Sequence, residues 1–164
     1  MPHRYLIAVG SNRRGRHGDP GAEVRAALTM LGGIASPIVA SAPLGPSLRR
    51  YANAAALIDS DQEPPAMLAR LKAIERAFGR RRGRRWGARV IDLDIILWSG
   101  GAWASPGLVV PHIAFRDRDF VLDPVVTLVP DWRDPVTHLR IRQLRRRLTD
   151  RPPRPSRARR CVGS

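Results

Sequence analysis

The chain alternates between short apolar runs and longer amphipathic stretches. The short runs are bounded by glycine, proline or polar residues, which is the pattern of β-strands that end in turns. They predict four strands, at residues 5–9, 38–42, 51–59 and 90–98. The last of these runs is interrupted only by Asp92 and Asp94.

Two amphipathic stretches separate the predicted strands. Apolar residues recur at helical spacing over residues 65–78, and Gly79 ends that helix. Asp19 and Pro20 supply a cap and a first-turn proline for another helix at residues 22–31. Two shorter helices are predicted at residues 121–128 and 141–148.

The order of these elements predicts the fold. Through residue 98 it is β-α-β-β-α-β, which is typical of a ferredoxin-like sheet. We therefore expect an α+β fold, in which helices pack on one side of an antiparallel sheet and extra helices follow at the C-terminal end.

The length and composition favour one domain with a short tail. A chain of 164 residues, of which 43% are hydrophobic, can bury a core of ordinary size. We expect a single domain over residues 1–150 and a disordered basic tail over 151–164, where proline and arginine dominate. No signal peptide, no apolar run of about 20 residues and no cysteine pair is found, so we expect a cytoplasmic protein, and a monomer.

The charge is strongly unbalanced. The net charge is +15, from 29 basic and 14 acidic residues, and Lys72 is the only lysine. Such an excess predicts a phosphate-rich partner, either a nucleotide or a nucleic acid. The alternative is that arginine replaces lysine over the whole surface through coding bias. Composition does not separate these readings, but the positions of the arginines do.

Asp92 and Asp94 form the most informative pair in the sequence. Alternate residues of a strand point to the same face, so the two side chains are expected roughly 7 Å apart. A carboxylate within an apolar strand is costly unless it is paired or bound to a metal. Magnesium prefers a few carboxylates and completes its shell with water and phosphate oxygens. The pair indicates a magnesium site, and salt bridges to nearby arginines are the alternative.

An arginine-rich run directly precedes this strand. Arg82, Arg85 and Arg89 could neutralise the outer oxygens of a polyphosphate that is bridged to magnesium. Trp86, within the same run, could stack on a flat ring or form a wall of the cleft. A solvated run of charges is the alternative. The sequence contains no GxxxxGK[ST] motif, which excludes a P-loop.

Aromatic and amide side chains occur where a heterocycle could bind. Tyr51 and Asn53 are two positions apart on a predicted strand and could stack on such a ring and hydrogen-bond its edge. Core packing of Tyr51 is an equal alternative. Phe120 could be the second stacking residue. His112, after Pro111, is either a ligand contact or a structural histidine.

Taken in order, these residues resemble the 6-hydroxymethyl-7,8-dihydropterin pyrophosphokinase family of folate biosynthesis, over residues 5–148. The matching motifs are Gly10-Ser11-Asn12, Pro43-Leu44-Gly45-Pro46, Tyr51-x-Asn53-Ala54-Ala55, Glu75, Gly79-Arg80-x-Arg82, Arg85-Trp86-Gly87-x-Arg89-x-Ile91-Asp92-Leu93-Asp94-Ile95, Pro111-His112 and Arg118-x-Phe120-Val121-Leu122-x-Pro124. The resemblance implies transfer of pyrophosphate from the co-substrate ATP to the hydroxymethyl group of the dihydropterin, with release of AMP.

The resemblance also implies a set of site residues. Asp92 and Asp94 would bind two Mg²⁺ ions and, with Arg82 and Arg85, would be catalytic. Implied pterin contacts are Ser41, Ala42, Leu44, Tyr51, Asn53, Trp86 and Phe120. Implied ATP contacts are Leu68, Lys72, Glu75, Arg82, Arg85, Trp86, Arg89, Ile95, His112 and Arg118.

Several positions depart from the family pattern. Ala88 replaces a proline, Ser41 and Ala42 replace a Thr-Pro pair, and Ile113 replaces an aromatic residue or proline. The segment at residues 31–36 is short and predicts a truncated second strand. The first loop, residues 13–21, is longer and more basic than usual in the family.

Two other functions are alternatives to this one. An RNA-binding domain on a ferredoxin-like sheet would agree with the positive charge. It needs aromatic residues on the central strands, which residues 5–9 and 90–98 do not offer in that pattern, and the paired aspartates would repel a phosphate backbone. A D-x-D transferase that uses a nucleotide sugar leaves the Tyr51–Asn53 pair and His112 without a role. Nucleic acid and membrane partners are therefore not expected.

Overall fold

An antiparallel sheet lies at the centre of the protein. The computed structural model describes residues 2–40, 50–79 and 89–152. Its elements are β1 His3–Ser11, α1 Pro20–Leu31, β2 Ile34–Ala35, β3 Val39–Ala40, β4 Ala52–Ser60, α2 Pro64–Phe78, β5 Asp92–Trp98, β6 Trp103–Ser105, β7 Leu108–Val110, a 3₁₀ turn Phe115–Asp117, α3 Asp119–Leu128 and α4 Ile141–Thr149.

The strand order of the sheet is that of a ferredoxin-like fold. Strand β1 pairs antiparallel with β4 on one side and with β5 on the other. Strands β2 and β3 both pair with β4 and together take the place of the second strand of the β-α-β-β-α-β pattern. The predicted order of elements is confirmed.

The second strand is short and broken, as its sequence predicts. Ser36 lies between the two pieces and is buried. Its backbone N–H donates to the carbonyl of Ala55 at 2.9 Å, and its Oγ accepts from the Ala55 N–H at 2.8 Å. These bonds replace the strand ladder across the break. The strand predicted at residues 38–42 is seen at Val39–Ala40, and residues 41–42 lie outside the described ranges.

Helices cover both faces of the sheet. Helices α1 and α2 pack on the face that carries Tyr5, Ile7 and Leu93. Helices α3 and α4 pack on the opposite face, against Leu6 and Ile96. The two helices of the repeated pattern thus share one side, as expected, and the C-terminal helices close the other side. An open, solvent-facing sheet of the kind that RNA-recognition domains present is therefore absent from the described part of the chain.

The predicted helix ends agree with the structure. The Asp19 carboxylate accepts from the Ala22 N–H at 2.9 Å, and Pro20 is the first residue of α1. Helix α2 ends at Gly79, whose φ of 87° is readily adopted by glycine. Within the described residues, no helix is long and apolar enough to cross a membrane.

A bulge in β5 determines which side chains face the C-terminal helices. Leu6 pairs with Leu97 and Ile7 pairs with Ile95, so Ile96 is an extra residue in β5. Ile96 and Leu97 therefore both join the core under α3 and α4. The strand starts at Asp92, two residues later than its apolar run predicts.

A small hairpin was not predicted from the sequence. Strands β6 and β7 pair antiparallel, with Ser105 opposite Leu108. The two-residue connection is Pro106-Gly107, and Gly107 has a φ of 78°, which favours glycine. Each strand has only three residues, which is too short for a clear alternation of apolar and polar positions.

A buried ion pair fastens the 3₁₀ turn to the loop before α4. Asp134 is fully buried and accepts from Arg116 Nε at 2.5 Å and Nη2 at 2.8 Å. Burial opposes ionisation of this carboxyl, but hydrogen bonds from Arg116, Thr137 and the Val136 N–H outweigh it and lower its pKa. The charged form of Asp134 therefore stabilises the fold.

We expect Asp134→Asn to lower the free energy of unfolding by about 2–3 kcal/mol at pH 7, because the half-buried guanidinium of Arg116 loses its counter-charge. The pKa of Asp134 is lower in the folded than in the unfolded state, so its contribution is present above roughly pH 4 and lost as the pH falls through the folded-state pKa. Urea unfolding at pH 7 and at low pH checks this. The difference between wild type and variant should shrink in acid, and a constant difference would contradict the ion-pair account.

Candidate functional site

A row of residues across the sheet forms the floor of the candidate site. Gly10 on β1 pairs with Asn53 of β4 on one side and with Asp92 of β5 on the other. Val39 of β3 pairs with Asn53 and extends the row. Directly opposed residues project to the same face of a sheet, so this row lies on the face that α3 covers.

Gly10 leaves a gap in the middle of this row. A Cβ at this position would lie 3.0 Å from Oδ1 of Asn53, which is closer than ordinary contacts allow. Because Gly10 has no side chain, the Asn53 amide and the Asp92 carboxylate border open space instead of a third side chain.

A cavity of about 390 Å³ occupies this space. Its lining residues are Gly10, Ser11, Asn12, Tyr51, Asn53, Asp92, Asp119 and Phe120. Tyr51, directly before β4, and Phe120 of α3 are 47% and 44% exposed, although most large apolar side chains of the sheet are buried. The volume falls within the usual range for small-molecule sites, and the aromatic lining suits a flat ring. The structure thus brings together three predicted contacts: Tyr51, Asn53 and Phe120.

A smaller recess of about 80 Å³ shares part of the same lining. Tyr51, Asn53, Asp119 and Phe120 border both spaces. Val39, Asp123 and Pro124 border only the recess, whereas Gly10 and Asp92 border only the larger cavity. The site therefore has two distinguishable ends, with Asp92 at one and Val39 at the other.

The two aspartates project to the same face of β5, as predicted. Asp92 pairs with Gly10 and Asp94 with Ala8, and both aspartates are at least partly accessible to solvent. The proposed salt bridges to arginine are not seen for either carboxylate among the described residues. Burial raises the pKa of Asp92, and the charges of Glu75 and Asp94 raise it further, while Arg89 and Lys72 lower it. A bound cation would relieve this like-charge repulsion.

The donor set suits magnesium that is shared with a substrate. Within the described ranges, no group of three or more His, Cys, Asp or Glu side chains could enclose a metal ion. Two carboxylates on an accessible face leave most of the coordination shell to water and phosphate oxygens, which is how magnesium is commonly bound. Asp92 and Asp94 are therefore the residues that could hold it.

Glu75 anchors β5 between these two aspartates. It is only 7% exposed, and its Oε1 accepts from the Leu93 N–H at 3.0 Å. Its Oε2 accepts from Arg89 Nη1 at 2.9 Å and from Lys72 Nζ at 3.2 Å. Glu75, Lys72 and Arg89 were all predicted to contact ATP. The structure joins them in one network, in which Glu75 positions both β5 and Arg89.

His112 lies at the outer edge of β5. Its backbone N–H donates to the Ile96 carbonyl at 3.2 Å. Its Nδ1 accepts from the Ala114 N–H at 3.1 Å, so in the neutral ring the proton is on Nε2. Nε2 can then donate a hydrogen bond to an anionic oxygen. The Nδ1 bond is itself a structural contact, so both alternatives for His112 stay open.

The remaining predicted ATP and pterin contacts lie in different parts of the structure, and some lie outside its described residues. Arg118 precedes α3, and its guanidinium carbon lies 5.6 Å from the centre of the Phe120 ring. Leu68 packs against the core from α2, and Ile95 is only 4% exposed within that core, so the side chain of Ile95 offers little surface to a nucleotide. Six predicted site residues lie outside the described ranges: Ser41, Ala42, Leu44, Arg82, Arg85 and Trp86.

Some residues that line the site were not among the predicted contacts. Gly10, Ser11 and Asn12 line the cavity, although in the sequence they were marked only as a motif of the family resemblance, with no assigned contact. Asp119 also lines it and was not among the predicted contacts. The start of α3 at Asp119 could not be inferred from apolar spacing, which begins at Val121.

Comparison with known proteins places the chain among pterin enzymes. A family model described as 7,8-dihydro-6-hydroxymethylpterin-pyrophosphokinase (HPPK) matches residues 6–130. The chain is 39% identical over 144 residues to 2-amino-4-hydroxy-6-hydroxymethyldihydropteridine pyrophosphokinase of Pseudomonas aeruginosa, covering 82% of this chain and 86% of that protein. The protein of the same name from Haemophilus influenzae is 35% identical over 133 residues, covering 76% and 81%.

The fold has solved counterparts. It is similar to a Plasmodium falciparum HPPK-DHPS structure, with a TM-score of 0.69 over 90% of this chain. That chain is 13% identical in sequence, so the likeness concerns the fold alone, and this chain spans 45% of its length. The ferredoxin-like prediction is confirmed.

Proposed function

Because this chain belongs to the 7,8-dihydro-6-hydroxymethylpterin-pyrophosphokinase family, we propose that its cavity and aspartate pair transfer pyrophosphate from ATP to the hydroxymethyl group of 6-hydroxymethyl-7,8-dihydropterin. AMP is the other product, and the step belongs to folate biosynthesis. The observation that carries this proposal is the arrangement of one cavity with two aromatic side chains, an amide, and a carboxylate at one end.

The cavity accounts for recognition of the pterin. Tyr51 and Phe120 bind the faces of the bicyclic ring, and Asn53 hydrogen-bonds its polar edge. In the proposed orientation the hydroxymethyl group lies beside Asp92 and the polar edge of the ring lies toward Asn53, along the row from Asp92 to Val39 that forms the floor. Ser41, Ala42, Leu44 and Trp86 remain predicted pterin contacts.

The other end of the site accounts for ATP. Asp92 and Asp94 would hold Mg²⁺, and the proposed number of ions is two. Mg²⁺ held by these carboxylates would neutralise the charge of the triphosphate and favour its alignment for in-line attack. His112, through its Nε2–H, and Arg118 are proposed to bind phosphate oxygens. Arg82 and Arg85 are proposed to bind the phosphate charge as it redistributes in the transition state.

The proposed transfer is direct and needs no covalent enzyme intermediate. The hydroxymethyl oxygen bonds to the β-phosphorus of ATP and releases its proton to solvent, and the bond from that phosphorus to the bridging oxygen breaks, so that this oxygen leaves with AMP. The protein contributes by positioning the reacting groups and by supplying charge. Glu75 holds β5, and with it Asp92 and Asp94, in place through the Leu93 N–H. A cytoplasmic location and a monomeric state remain predictions from the sequence.

Product analysis tests the proposed reaction. Purified protein is incubated with ATP, Mg²⁺ and 6-hydroxymethyl-7,8-dihydropterin, and the nucleotides and pterins are separated. We expect AMP and the dihydropterin pyrophosphate in equal amounts, with no AMP when the pterin is omitted. Formation of ADP would mean transfer of a single phosphoryl group and would overturn the proposal.

We expect Gly10→Ala to weaken pterin binding selectively, because the new methyl group would crowd Asn53 Oδ1 and narrow the cavity. A cost of about 1–2 kcal/mol, or roughly tenfold in pterin affinity, is typical of such overpacking. Titration of the variant with each substrate checks this. Gly21→Ala, a residue outside the cavity lining, is the control. Unchanged pterin affinity in Gly10→Ala would show that the gap at Gly10 is not used by the substrate.

A further inference from the structure

Asp119 lies where the main cavity meets the smaller recess. It is the first residue of α3 and borders both the main cavity and the smaller recess, as Asn53 does. Asp92 borders only the main cavity. The carboxylate of Asp119 is therefore grouped with the amide of Asn53, in the part of the lining that the cavity shares with the recess and that Asp92 does not border.

The side chain of Asp119 has acceptor capacity to spare. Its Oδ1 accepts from the Phe120 N–H at 2.7 Å, which is its only side-chain hydrogen bond in the part of the chain that the structure describes. A carboxylate has about four acceptor sites, so Oδ2 can accept from a ligand. Asp123, one turn further along α3, differs because its carboxylate is paired with Arg145.

If Asp119 only stabilised the start of α3, the remaining acceptor sites of its carboxylate would not be used. An aspartate in the first turn of a helix is favourable through the helix dipole, and the bond to the Phe120 N–H belongs to that role. Neither requires the carboxylate to border two cavities beside two aromatic rings. Arg118, the residue before it, lies over the Phe120 ring and forms no ion pair with Asp119.

The shape of the substrate supplies the matching donors. In a pterin, the carbon that bears the hydroxymethyl group and the carbon that bears the amino group lie at opposite ends of the fused ring. With the hydroxymethyl group beside Asp92, the amino group and the neighbouring ring N–H lie toward Asn53. An asparagine offers one acceptor atom, whereas a carboxylate can accept from two adjacent donors at once.

We propose that Asp119 is a specificity-determining residue that accepts hydrogen bonds from the amino-pyrimidinone edge of the pterin, next to Asn53. The proposal rests on the proposed function and deepens it, because it explains how this chain distinguishes an amino-substituted ring from an oxo-substituted one. Neither the motifs nor the compared families assign Asp119 a role.

The test compares two acceptors in wild type and Asp119→Asn. One acceptor is 6-hydroxymethyl-7,8-dihydropterin, and the other is the corresponding dihydrolumazine, in which oxygen replaces the amino group. We expect wild type to prefer the pterin in kcat/KM, and Asp119→Asn to reduce that preference by about 10- to 100-fold, since hydrogen bonds to a charged group are lost. The side-chain N–H of the new asparagine can donate to the oxo group of the lumazine. The substitution should therefore lower kcat/KM less for the lumazine than for the pterin.

Matched variants separate recognition from folding. Asp119→Ser keeps an acceptor for the Phe120 N–H but shortens the side chain, and it should also lose the preference. Asp117→Asn changes an exposed aspartate that pairs with Arg151, and it should keep wild-type preference. The KM for ATP and the thermal midpoint should stay close to wild type in both Asp119 variants.

The outcomes distinguish the two proposals. If wild type forms AMP and the dihydropterin pyrophosphate but the Asp119 variants keep its preference for the pterin, the Asp119 proposal is wrong and the proposed function stands. If the Asp119 variants lower kcat/KM equally for both acceptors, Asp119 serves only to stabilise the helix, and the proposal is again overturned. If wild type forms no AMP with either acceptor, the proposed function itself fails.

Discussion

Replacing Asp94 by asparagine is expected to reduce the rate of AMP formation by about 10²- to 10³-fold or more, while the fold is retained. The side chain projects to the same face as Asp92 and is only partly buried, so an isosteric amide fits its place. The amide removes the negative charge that would hold Mg²⁺ against the triphosphate, and the loss of one electrostatic contact in a transition state commonly has this size. Steady-state assays of AMP, together with circular dichroism, check both parts.

Asp59→Asn is the matched control for this experiment. Asp59 lies on β4, pairs with Arg4 and is exposed at the opposite end of the sheet. We expect it to keep wild-type turnover. AMP formation at the wild-type rate in Asp94→Asn would contradict the magnesium assignment, and a comparable loss in both variants would point to a general effect of charge.

Replacing Tyr51 by alanine is expected to weaken dihydropterin binding by roughly 10- to 100-fold, since stacking of a heterocycle on an aromatic ring contributes about 1–3 kcal/mol. Tyr51 borders the cavity and is 47% exposed, so it faces the space proposed for the pterin. Affinity for a non-hydrolysable ATP analogue should change by no more than about twofold, because the nucleotide is expected at the other end of the site. Isothermal titration with each ligand measures both constants.

Tyr51→Phe is the corresponding control, because it keeps the ring and removes only the hydroxyl group. We expect it to bind the pterin almost as tightly as wild type does. If Tyr51→Ala weakened both ligands equally and lowered the thermal midpoint, core packing, the alternative that the sequence left open, would be the correct role.

Periodicity and turn residues were sufficient to predict most of the fold. The helices at Pro20–Leu31 and Pro64–Phe78 follow from their caps and apolar spacing, and the strand order follows from the order of elements. The bulge at Ile96 could not be predicted, because β5 is apolar on both faces beyond Asp94 and its register depends on packing against β1 and α3. The hairpin at Trp103–Val110 was missed because each of its strands has only three residues.

The site was predicted only in part for a similar reason. Alternation along a strand is local, so the shared face of Asp92 and Asp94 could be inferred from spacing. The row that joins Asp92, Gly10 and Asn53 depends on the register of three strands, which no local pattern contains. The network around Glu75 is likewise a long-range contact between α2 and β5, so a sequence motif could mark Glu75 without revealing that it anchors Leu93.

The orientation of the pterin in the cavity is the central claim, and a paramagnetic ion measures it directly. Mn²⁺ replaces Mg²⁺ in the complex with a non-hydrolysable ATP analogue and a dihydropterin labelled with carbon-13 at the hydroxymethyl carbon and at the amino-bearing carbon. The relaxation of each carbon is then recorded by NMR. The structure predicts much faster relaxation at the hydroxymethyl carbon, because this group lies beside Asp92 and the amino end lies toward Asn53 and Asp119. Equal relaxation at both carbons, or faster relaxation at the amino-bearing carbon, would contradict the account.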